Sequence, residues 1–121
     1  MLNKKPLNDK TLRAAFHRFN HAYFDGKLPK DIQVRFASSK IDRKLVGAAI
    51  GINYTYDKLI LMNKRYQHSR RIILSTLLHE MVHTKTYRNS LDTNDCDLTG
   101  WNSFNLESLR IAKLGAFNGL W

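Results

Sequence analysis

Two histidines four residues apart, with a glutamate directly after the first, make His79-Glu80-Met81-Val82-His83 the segment of this chain best equipped for chemistry. On a helix, positions i and i+4 project from one face a turn apart, so both imidazoles can converge on one cation. Glu80 points partly aside, which leaves its carboxylate beside a metal-held water instead of on the metal. Zinc held this way brings the pKa of its water down to about 7, and Glu80 can take the proton and later return it to a leaving amine. The flanking residues Ile72, Ile73, Leu74, Leu77, Leu78 and Val82 make the segment apolar. A carboxylate left uncompensated among them would cost roughly several kcal/mol, and a metal supplies the compensating charge.

Catalytic zinc normally takes three protein ligands and keeps one open position. No histidine follows His83; His17, His21 and His68 all lie upstream. The downstream donors are Asp92, Asp95, Cys96, Asp97 and Glu107. Asp97 is the first choice, because the acidic segment around it must turn back before the last helix. Glu107 would give two histidines and a glutamate from a second helix, another zinc arrangement. Cys96 reads better as a small buried hydrophobe. His17 and His21 also stand at i, i+4, but without an acid between them they read as a solvated helix face.

These residues need a scaffold, and the pattern around them supplies one. Leu12, Ala15, Phe16, Phe19 and Tyr23 recur at helical spacing after Asn8 or Asp9, and the helix should stop at Asp25-Gly26 before Pro29. Ile32, Val34 and Phe36 alternate as in a strand, Val46 to Ile52 reads as a second strand with two close-approach glycines, and Lys58 to Met62 as a third. Ser38 to Lys44 reads as a polar turn. Ser69 opens the helix bearing His79 and His83, residues 88 to 100 read as an irregular connection, and a last helix runs from Asn102 to Leu114 with Gly115 as its stop. In that helix Leu106 and Leu109 should broaden an apolar face set by Phe104, Ser108 and Ile111. The expected fold class is therefore α+β: an N-terminal helix, a small three-stranded sheet, the histidine helix and a C-terminal covering helix.

At 121 residues the chain suits one domain, residues 1–121. A lone cysteine excludes an internal disulfide and a cysteine-rich zinc finger, and fits a reducing, cytoplasmic setting. No stretch reaches membrane-spanning length. The formal charge of +10 favours polyanionic partners, above all nucleic acid. It is unevenly spread: residues 1–88 hold 18 Lys/Arg against 6 Asp/Glu, residues 89–121 hold 2 against 4. Lys40, Arg43, Lys44, Lys64, Arg65, Arg70 and Arg71, with Tyr54, Tyr56 and Tyr66 interleaved, could bind a phosphate backbone without reading sequence. In the peptide-cleaving reading Tyr54, Tyr56 or Tyr87 would steady an oxyanion.

Phe19-Asn20-His21-Ala22-Tyr23-Phe24-Asp25-Gly26-Lys27-Leu28-Pro29, Leu77-Leu78-His79-Glu80-Met81-Val82-His83 and the closing segment Phe104 to Gly115 together resemble the SprT-like metallopeptidase domain of the Spartan group. The resemblance implies a zincin-like minimal domain, His79 and His83 as zinc ligands, Glu80 as catalytic base, and protein substrates associated with DNA. The family's third zinc histidine, followed by glycine, falls where this chain has Thr99-Gly100-Trp101. A loop carboxylate, with Asp97 preferred, or water then takes that position, or the scaffold serves as a non-proteolytic DNA- or protein-binding module.

Overall fold

The computed structural model describes residues 6–86 and 103–118. The order of elements is α1 (Asp9–Tyr23), β1 (Gln33–Phe36), α2 (Lys40–Val46), β2 (Gly51–Tyr54), β3 (Leu59–Met62), a 3-10 turn (Lys64–Tyr66), α3 (Arg70–Thr86) and α4 (Ser103–Lys113). The expected α+β class, with its small sheet between helices, is what the chain forms.

α1 opens on a capping box in which the Asn8 side chain accepts from the Thr11 amide and the Thr11 side chain accepts from the Asn8 amide. It ends as its glycine implied, with Asp25 and Gly26 both at positive φ. The exit is pinned by Asn20, 2% exposed, whose amide donates to the Leu28 carbonyl (3.2 Å) and whose carbonyl accepts from the Leu28 N–H (3.1 Å). The asparagine and the leucine-proline step of the motif are thus two ends of one clamp.

The sheet order is β1-β3-β2, with β1 parallel and β2 antiparallel to β3. Alternation sorts the side chains. Val34, Phe36, Ile60 and Met62 join the main core with Leu12, Phe16, Leu77, Leu78 and Met81 of α1 and α3. Leu59 and Leu61, with Ile52 and Tyr54, face the other way onto a smaller cluster containing Val46 of α2. Central β3 is covered on both faces, which is why it reads as an unbroken apolar run.

Two stretches differ from the sequence reading. Ser38 to Lys44 is not merely a turn: Ser39 caps α2, its hydroxyl accepting from the Asp42 N–H at 3.0 Å. The strand expected over Val46 to Ile52 begins only at Gly51, because Val46 ends α2 and Gly47, at φ +56°, turns the chain. In α4, Phe104 and Ile111 are buried as expected, but Leu106 and Leu109 are 47% and 53% exposed, so they do not broaden the buried face.

Candidate metal centre

α3 is apolar enough to be buried on most of its circumference, and Leu77, Leu78, Met81 and Val82 are fully enclosed around the histidines. His79 and His83 are half-buried on one stripe of this helix, as i, i+4 spacing requires. Their ring centres are 4.9 Å apart, with planes at 80°. Two imidazoles on one tetrahedral zinc, at metal–nitrogen distances of about 2.0–2.1 Å, have ring centres roughly 5 Å apart, so this pair fits a shared ion. Glu80, only 7% exposed, lines with His79 an open cleft of about 480 Å³ walled by Gly51, Thr76 and Ser108.

Three features that frame the site carry no motif of their own. Phe104 of α4 lies against both imidazoles, 4.9 Å from the His79 ring and 4.3 Å from that of His83. Asn53 of β2 donates from its side-chain amide to the Glu80 carbonyl and to the Thr84 hydroxyl, both at 2.7 Å, and so ties the strand to the helix at the turn that carries Glu80. Gly51 permits the close approach: a Cβ there would stand 3.0 Å from Thr76 Cγ2 and 2.8 Å from the buried Met62 sulfur. Only the glycine gave a signal in the sequence.

Among the candidate third ligands, Asp92, Asp95, Cys96 and Asp97 lie outside the described residues, as does Tyr87. Glu107 is described, and its carboxylate is engaged elsewhere. Arg110 donates to it from Nε at 2.9 Å and from a terminal nitrogen, and that same nitrogen donates to the Tyr23 carbonyl at 2.6 Å. Among the described residues no three His, Cys, Asp or Glu side chains cluster to hold a metal. His17 and His21 are exposed on α1, as a solvated face would be.

The tyrosines separate. Tyr54 points to the α2 side of the sheet and donates to the Leu45 carbonyl at 2.7 Å, away from the metal cleft, so it is not an oxyanion donor. Tyr66 packs on the main core, and Tyr56, on the β2–β3 turn, is 89% exposed. The seven basic residues named from the sequence are all exposed, on α2, the 3-10 turn and the start of α3. Among the described residues no helix is long and apolar enough to cross a membrane.

No curated protein and no solved structure matches this chain. The model of the SprT-like family matches residues 12–96, from α1 through the sheet and all of α3. With the two imidazoles and the buried glutamate on the helix this match includes, the chain belongs to the SprT-like family, whose members are metallopeptidase-type domains that generally depend on zinc.

Proposed function

We propose that the chain is a zinc-dependent peptidase acting on DNA-associated proteins. The observation that carries this reading is the pair of imidazoles at 4.9 Å on the same helix as a carboxylate only 7% exposed in the adjoining cleft. His79 and His83 would hold the ion, with Asp97 as third ligand; the engagement of Glu107 by Arg110 supports Asp97 over Glu107. Bound zinc supplies a Lewis acid that acidifies water and polarises a carbonyl. The protein's own part is positional and proton-transferring. Glu80 receives the proton of the attacking water and passes it to the leaving amine. Asn53 holds β2 against this turn of α3, and a polypeptide substrate would lie along the outer edge of β2 as an added strand. The exposed lysines and arginines of α2, the 3-10 turn and α3 support a sequence-independent hold on nucleic acid.

The test compares wild type with Glu80→Gln, measuring zinc content and cleavage of an unfolded protein with and without single-stranded DNA. The variant should retain zinc and lose about 10²–10⁴-fold in rate, the usual share of a general base. Cleavage at the wild-type rate would remove Glu80 from the mechanism. A wild type that holds zinc and binds DNA but cleaves nothing would favour the non-proteolytic binding module, to which the same basic surface is suited.

A further inference from the structure

A second cleft, of about 450 Å³, opens beside the metal cleft, between the segment after α1, the β2–β3 turn and the last turn of α3. Lys27, Lys58 and Lys85 each contribute to its wall, and among the described residues no acidic side chain lines it. Lys58 is already paired with Asp31, Nζ to carboxylate at 2.8 Å, so among the described residues Lys27 and Lys85 carry the charge of this wall that no carboxylate offsets. Leu28 and Ile32, 4% and 6% exposed, give it an apolar floor. Charges set over an apolar surface act more strongly on an anion than charges surrounded by water.

The two clefts are lined by successive residues of the same two elements, β2 and α3. Gly51, Asn53 and Thr55 alternate along β2 and its exit: Gly51 lines the metal cleft, Asn53 and Thr55 the lysine cleft. On the facing helix, Thr76, His79 and Glu80 line the first, Thr84 and Lys85 the second. Five helical steps separate Glu80 from Lys85, about 7.5 Å at 1.5 Å per residue. Extended polypeptide covers that distance in about two residues at roughly 3.3 Å each. Among the described residues β2 is an edge strand, open to an added strand on its outer side.

We propose that this lysine cleft is a specificity subsite that takes an acidic side chain of the polypeptide substrate, about two residues from the bond cleaved. The proposal rests on the peptidase reading above. An aspartate or glutamate matches the site in having a short aliphatic stem for the floor and a carboxylate for Lys27 and Lys85. Nucleic acid is the poorer occupant, since the denser run of cations lies on α2, the 3-10 turn and the start of α3.

The experiment uses the zinc-loaded full chain and quenched-fluorescence peptides carrying Glu, Gln or Lys at each of three positions on either side of one cleavable bond. The Glu peptide should be cleaved about tenfold faster in kcat/KM than its Gln twin at one position only, the discrimination expected of one charge-assisted contact. The double variant Lys27→Glu, Lys85→Glu should invert the order, with the Lys peptide preferred. Binding of the same peptides to Glu80→Gln protein gives a readout independent of turnover. Preference for Glu in binding but no cleavage by wild type would uphold the cleft and sink the peptidase reading. Equal treatment of Glu and Gln peptides in both assays, or a preference that survives charge reversal, would overturn the cleft assignment. So would a thymidine oligonucleotide that displaces the Glu peptide from Glu80→Gln protein but has no measurable hold on the charge-reversed form, because the cleft would then belong to nucleic acid.

Discussion

Phe104 packs against the candidate metal centre without offering it a ligand. The residue is 5% exposed and its ring lies against both His79 and His83, where it limits how the two imidazoles of the other helix can turn. Groups that orient ligands typically account for about 10–100-fold in metal affinity. Phe104→Leu should keep the fold with a modest loss of stability and weaken zinc binding by about tenfold in a chelator competition. Phe104→Ala should also remove about 3–5 kcal/mol of stability by leaving a cavity. Unchanged zinc affinity in Phe104→Leu would mean that the rings are held by something else. The proposed ligands and base could be picked out in the sequence because helical spacing alone brings residues 79, 80 and 83 to one stretch of α3. Phe104 and Asn53 were not, because their roles arise from contacts between segments more than twenty residues apart, where local periodicity has no say.

At the level of elements, the informative case is α2. Its Ser39-x-x-Asp42 start is a capping signature, but the basic residues around it made the stretch look like a polar turn, and seven residues are too few for helical periodicity to show. The helix exists because Asp42 anchors it at several points. Arg35 of β1 donates two hydrogen bonds to the carboxylate, and the Ser38 and Ser39 amides add two more. The Arg35 guanidinium first, and then the Ser38 amide, hold the Asp42 carboxyl well below the ordinary aspartate value of 3.8. A depressed carboxyl contributes stability that is present above its unfolded pKa and lost as pH falls through the folded one. Asp42→Asn should therefore unfold at lower temperature than wild type at pH 7, with the difference shrinking once the pH drops below about 4. A gap in melting temperature that stays constant from pH 7 to pH 2 would show that ionisation of Asp42 plays no part. The same logic of partners explains α4, where Leu106 and Leu109 fit the apolar period but among the described residues face no element that would cover them.

For the molecule as a whole, charge was readable from composition, and its placement came from the fold. The sequence concentrates cations before residue 89, and the structure puts Lys40, Arg43 and Lys44 on α2 next to Lys64 and Arg65, with Asn63 tying the two segments by donating to the Ala49 carbonyl at 3.0 Å. Only one of the three tyrosines expected to stack on bases, Tyr56, is well exposed, and it lies on the β2–β3 turn and not among these cations. Binding to single strands should accordingly be dominated by phosphate contacts and should show little base preference. Each phosphate neutralised adds about −0.7 to the slope of log affinity against log salt for single strands. Arg43→Glu with Lys44→Glu should weaken binding of a thymidine oligonucleotide by at least about tenfold at low salt and make the slope shallower by about 1.4, with an equal loss on mixed-sequence strands. Fluorescence anisotropy over a salt series measures both quantities. A slope unchanged by the double reversal would move the nucleic-acid contact off α2, and a loss confined to one sequence would replace phosphate binding with base recognition.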